Sequence, residues 1–176
     1  MAIQLIFCVE TNKRADTDSI YIRETINHLY IVNNKVKISK VYMNTKTRYR
    51  ANDVRKEITG LTRAFTIGET RVIYCIDTDG YEKDIEHKRE FDEIRQYCRE
   101  GDYDLIWFCQ TKEDVYLGRR ISDSAKVQEA AAFKRKRKIE EMDLDKLTCN
   151  TERVHTSNIV NVLDQYLSRR QGNDSK

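Results

Sequence analysis

The stretch Ile73-Tyr74-Cys75-Ile76-Asp77-Thr78-Asp79-Gly80 is an apolar, largely β-branched and aromatic run that breaks at two carboxylates one residue apart and then at a glycine. Such a run reads as a buried strand. In an α/β protein its carboxyl end lies at the sheet edge where these folds build their sites. The pattern recurs near the start of the chain, where Leu5-Ile6-Phe7-Cys8-Val9 runs into Glu10. Glu10, Asp77 and Asp79 are therefore expected to converge as an oxygen-ligand pocket for Mg²⁺ or Mn²⁺. Carboxylates held close raise each other's pKa, so grouping them calls for a cation or a shared proton. A plainer reading of the same residues makes Asp77 a cap for the next helix and Asp79-Gly80 a turn.

Working outward, strand and helix signals alternate. Residues 3–9 have strand length. Residues 17–31 carry Ile22, Ile26, Leu29 and Tyr30 on one helical face, with Asp16, Thr17 or Asp18 as the cap. Val36 to Met43 alternates as a second strand. Asn52 reads as the cap of a helix bearing Val54, Ile58, Leu61 and Phe65, and Val72 to Ile76 is the third strand. Ile85, Phe91, Ile94 and Cys98 mark a helix ending near Gly101, and Tyr103 to Cys109 forms the fourth strand. This order predicts an α/β, Rossmann-like, mainly parallel sheet of four or more strands flanked by helices. Right-handed crossovers bring every strand's carboxyl end to one rim, which Gln110–Asp114 shares. Glu113 and Asp114 there read as the start of a short helix, with a further metal ligand as the alternative.

Beyond the fourth strand, residues 123–141 read as a helix rich in Lys and Arg. Residues 156–170 read as another, with an apolar stripe of Ile159, Val162, Leu163, Tyr166 and Leu167 that packs on the sheet or forms a dimer seam. The tail from Gln171 to Lys176 is polar and reads as a frayed end. The 176 residues are expected to form one domain, with a core over about 3–110 and a helical, basic extension over about 111–170.

Hydrophobic residues at 39% against 35% charged place the chain among folded proteins rather than disordered ones. No apolar run approaches the roughly 20 residues of a membrane helix, and no basic start precedes an apolar h-region. The expectation is a cytoplasmic protein without membrane contact. Cys8, Cys75 and Cys109 lie in strand-like runs as small hydrophobes, and Cys98 and Cys149 stand alone. Without a CxxC pair or a suitably spaced histidine, no structural zinc is expected. His28, His87 and His155 are far apart, and His28 and His155 read as structural. No catalytic triad or glycine-rich phosphate loop can be assembled.

Charge is separated along the chain. Residues 77–104 hold eleven acids and five bases, a net of −6, whereas residues 118–139 hold eight bases and two acids, a net of +6. Arg119, Arg120 and the run Lys134, Arg135, Lys136, Arg137 and Lys138 are candidate contacts to a phosphate backbone. A solvated helix surface explains the run equally well, and a nuclear-import signal is a third reading. Arg48-Tyr49-Arg50 reads as a solvated loop, with base stacking as the alternative.

A glutamate ending the first strand (Cys8-Val9-Glu10-Thr11) and Asp77-Thr78-Asp79 ending the third together resemble the Toprim domain of topoisomerases, bacterial primases and small nucleases, over residues 3–110. The resemblance implies that Glu10, Asp77 and Asp79 bind Mg²⁺, with Glu10 in acid/base work, and that DNA or RNA is cut. Thr11 departs from the glycine that many Toprim proteins place after the glutamate. The order and size of the chain, with Val115 to Arg120 leading into a basic helix, also resemble RloB-type proteins of bacterial defence loci. That likeness implies a role in antiviral defence or mobile-element biology. Asp77-Thr78-Asp79-Gly80 is similar to the first motif of haloacid-dehalogenase-like phosphatases, with Thr111 as a second, but that motif belongs on a first strand. The expected function is thus a Toprim-type nuclease. The alternative is a non-catalytic nucleic-acid-binding or partner-regulated subunit, with an ATPase or a second copy as partner.

Overall fold

The computed structural model describes residues 1–81 and 83–171. Four strands, β1 (Ala2–Val9), β2 (Val36–Tyr42), β3 (Gly68–Asp77) and β4 (Asp104–Phe108), form one sheet in the order β2-β1-β3-β4. Every pairing is parallel, with Leu5 opposite Ile38 and Arg71, and Ile76 opposite Trp107. This is the Rossmann-like α/β sheet that the alternating pattern predicts.

Strand periodicity sorts the apolar residues onto two faces. Leu5, Phe7, Val9, Ile73, Cys75, Ile106 and Phe108 belong to one core. It is covered by α1 (Thr17–Leu29), α4 (Lys112–Leu117), α5 (Lys126–Arg135) and α6 (Ile159–Leu163). Ile6, Cys8, Val72, Tyr74, Ile76 and Trp107 face the other, against α2 (Asn52–Arg63) and α3 (Ile85–Glu100). All five cysteines are buried.

Several local expectations are corrected. Asn52 is the first residue of α2 rather than its cap, and its Oδ1 accepts a hydrogen bond from Arg55. Ile85 opens α3 but is 87% exposed, because the core-facing stripe begins only at Phe91. Tyr49 is not in a solvated loop. It is buried, packs edge-on against Tyr97 at 5.0 Å, and its carbonyl accepts from the Tyr74 hydroxyl.

The two long C-terminal helices are shorter than their patterns suggest. The helix expected over 123–141 is regular only as α5, and Arg137 adopts a left-handed φ of 51° before a 3₁₀ turn over Lys138–Glu141. Five successive cations place like charges at i,i+4, which destabilises a continuing helix. The helix expected over 156–170 is regular only over Ile159–Leu163. Its first residues are recruited elsewhere: Cys109 N donates to the Thr156 carbonyl, and Asn158 bonds both Trp107 N and the Leu105 carbonyl. These contacts cover the free edge of β4, which would otherwise present unpaired backbone groups. Of the stripe, Ile159, Val162, Leu163 and Leu167 are buried in the core on the sheet, and Tyr166 packs against it partly buried. Within the tail, Gly172–Lys176 lie outside the described residues.

Candidate active site

The order β2-β1-β3-β4 sends the chain to one side of β1 and then to the other, so the switch point lies between β1 and β3. Glu10 follows β1 and Asp77 ends β3, and the two meet there. The Asp77 N–H donates to Glu10 Oε1 at 2.6 Å. The sheet thus brings together residues 67 positions apart in sequence.

Asp77 does not cap α3. That role belongs to Asp84, whose side chain accepts from Glu86 N and His87 N. The turn reading holds: Asp79 and Gly80 both take positive φ, 49° and 73°, and glycine at the second position removes the Cβ clash there. The turn carries Asp79 outward, to 39% side-chain exposure.

Two lysines that the sequence reading did not single out dominate the electrostatics. Lys112, the first residue of α4, is buried, and its Nζ donates to Asp77 Oδ1 at 2.6 Å and lies 3.4 Å from Asp18 Oδ2. Its backbone N–H also reaches Asp77 Oδ1. Asp18, buried at the start of α1, accepts from the backbone N–H groups of Glu10 and Thr11, which fixes the bend after β1. Lys46, buried in the turn after β2, lies 2.7 Å from Asp79 Oδ2 and 3.2 Å from Glu90 Oε2.

Around Lys112, the carboxyls of Glu10, Asp18 and Asp77 outnumber the ammonium. Burial pushes the Glu10 carboxyl up to about 7, opposed by Lys112 and reinforced by Asp18. Burial likewise holds Asp77 well above the usual carboxylate range, against the pull of Lys112. Burial alone would lower Lys112, but Asp18, Asp77 and Glu10 keep its ammonium protonated far into the alkaline range. The cluster is therefore built to hold a proton near neutrality as well as a positive charge.

The donor set is all oxygen and suits a hard divalent cation in chemistry. Lysine ammoniums, however, already sit against Asp77 and Asp79, and among the described residues no three acidic, histidine or cysteine side chains are gathered closely enough to hold a metal. Glu113 and Asp114 begin α4 and are buried, and the Thr111 hydroxyl caps that helix. His155 Nδ1 lies 3.0 Å from the Asp114 carbonyl oxygen, a structural contact.

The basic residues are dispersed. Arg119 pairs with Glu129 at 2.6 Å just after α4, and Arg120 is exposed beside it. Lys134 and Arg135 end α5, Lys136 and Arg137 follow, and Lys138 is half-buried. Arg137 lines a hollow with Asn27 and His28, near the end of α1. Asp18 sits at the other end of that helix, roughly 15 Å away by helical rise. The structure therefore brings Glu10 and Asp77 together, sets Asp79 close by on Lys46, and leaves the five-cation run apart from the rim.

Lys112 was legible only as a member of the rim segment Gln110–Asp114. Asp18 was legible only as a candidate helix cap. Nothing in the sequence marks Lys46 or Glu90, which meet through the fold alone. No protein-family model matches the chain, and a search of curated proteins returns no significant match.

Proposed function

We propose that this rim is the site of a Mg²⁺- or Mn²⁺-dependent phosphodiesterase of Toprim type that cuts DNA or RNA. The observation that carries the reading is the contact of Glu10 with Asp77 at the β1/β3 switch point, with the Glu10 carboxyl lifted to about 7. A carboxyl poised near the working pH is suited to take up and return a proton. Glu10 would do so at Oε2, while Oε1 stays anchored on the Asp77 N–H. Glu10, Asp77 and Asp79 would hold the metal only by drawing closer together as Lys112 and Lys46 yield Asp77 and Asp79; when bound it would neutralise phosphate charge and acidify an attacking water. Lys46, itself buried, reaches the partly exposed Asp79 and would orient that carboxylate. Arg119 and Arg120, one short helix from the rim, and the 134–138 run would hold backbone phosphates.

A second reading, a non-catalytic nucleic-acid-binding subunit, is favoured by one observation: lysines already neutralise Asp77 and Asp79. Hydrolysis of labelled single- and double-stranded DNA and RNA with Mn²⁺ separates the two. The enzyme reading predicts that Asp79→Asn loses at least about a hundredfold in rate, as is usual for a catalytic electrostatic group, while retaining fold and affinity. Equal rates for the two proteins, or no hydrolysis by either, would reject it in favour of the binding subunit.

A further inference from the structure

A second basic surface lies far from the 134–138 run, on the opposite face of the sheet. The outer side of α2 presents Arg55, Lys56 and Arg63, which flank an open groove of about 540 Å³ completed by Tyr103. Lys56 and Arg63 lie two turns apart and Arg55 one residue before Lys56, so the three fall within about 100° of the helix circumference. All three are exposed, and among the described residues no acid pairs with any of them. Arg55 is held by Asn52 Oδ1 and stands near enough for its charge to act on the Tyr103 hydroxyl. Gly60 also lines the groove, with no atom within 4 Å of where a Cβ would stand. Tyr103 is anchored from behind by Tyr74 and Tyr97 at 5.6 and 5.7 Å, so its ring is fixed while it lines the groove.

Other arginines, such as Arg48, Arg71, Arg95 and Arg119, are matched by carboxylates. Three unmatched cations along one concave helix face, beside an immobilised aromatic ring, form a polyanion surface with a place for a base. We infer that the α2 groove binds single-stranded nucleic acid, with Arg55, Lys56 and Arg63 on its phosphates and Tyr103 against a base. A groove with an aromatic ring at its side suits an unpaired strand, whose bases are free to stack, better than a duplex, whose bases are already stacked. Direction adds to this. In a parallel sheet the helix after β2 starts at the carboxyl edge, so the Asn52 end of the groove lies six residues from Lys46 of the rim. That a strand bound here leads to the rim rests on the reading above; that the groove binds a strand does not.

The test is fluorescence anisotropy with labelled oligothymidylate and oligouridylate single strands and a matched duplex, without metal and over a range of salt. The natural chain should bind single strands more tightly than duplex. Arg55→Glu/Lys56→Glu/Arg63→Glu should weaken binding at least about tenfold at low salt and reduce the slope of log affinity against log salt by about 2, the value for three lost single-strand phosphate contacts. Tyr103→Leu should weaken it about tenfold with the slope unchanged, the signature of lost stacking. Unchanged affinity and slope in the triple variant, equal binding of duplex, or no binding by the natural chain would each overturn the inference. The charge reversals are on exposed side chains and carry the test if Tyr103→Leu unfolds. Because binding is read without turnover, an inactive rim would leave this result standing, and a failed groove would leave rim hydrolysis to be judged separately.

Discussion

The β1/β3 rim and the basic stretch at the end of α5 are both charge clusters, yet they obey different physics. At the rim, Lys112, Asp18 and Asp77 are buried and held against one another. At the end of α5, Lys134, Arg135 and Lys136 face water, and solvent screens them. Water decides the difference: a buried charge that loses its partner keeps its desolvation penalty, whereas an exposed one simply rehydrates. A run of like charge in a sequence therefore says less about energetics than where the fold puts it.

The largest effect that could break this contrast is expected at Lys112. Lys112→Met leaves Asp18 and Asp77 buried without their cation and should destabilise the fold by about 3–5 kcal/mol in urea unfolding. A loss under about 1 kcal/mol would mean the rim is as well hydrated as the α5 terminus. Next comes pH. The folded state lifts Glu10 from about 4.5 to about 7, so it retains a proton that the unfolded chain releases. The stability from this group is fully present below about pH 4.5 and is lost as pH rises towards 7, roughly 1–3 kcal/mol over that window. Glu10→Gln, neutral at every pH, should flatten that part of the profile, measured by thermal unfolding from pH 4 to 8.

Lys46→Met should be milder, about 1 kcal/mol, because Asp79 and Glu90 are partly exposed and can rehydrate. The smallest change is expected from Arg135→Ala, within about 0.5 kcal/mol in the same urea assay. A larger loss there would show that Arg135 itself has a structural partner.

The sheet was legible because its strands are long apolar runs bounded by charge or glycine, and periodicity alone sorts Leu5, Phe7 and Val9 from Ile6 and Cys8. The meeting of Glu10 and Asp77 followed from parallel strands ending at one edge. Asp18 and Lys112 were not legible as its partners, because a salt bridge between the starts of two helices leaves no local pattern. The C-terminal helices were misread in extent for a related reason. Thr156, Ser157 and Asn158 carry helix-compatible spacing, but the open edge of β4 competes for their hydrogen-bonding groups and wins. Tyr49 looked solvated between two arginines, yet its ring has Tyr97 to pack on. Tertiary partners, not local preference, settled each of these.

The most direct test of the proposed metal site is Mn²⁺ titration by calorimetry, on the natural chain and on Asp77→Asn/Asp79→Asn, with circular dichroism verifying the fold of both. The account predicts saturable binding by the natural chain that the double variant loses. No binding, or equal binding by both proteins, would contradict it and leave Lys46 and Lys112 as the only cations the rim requires.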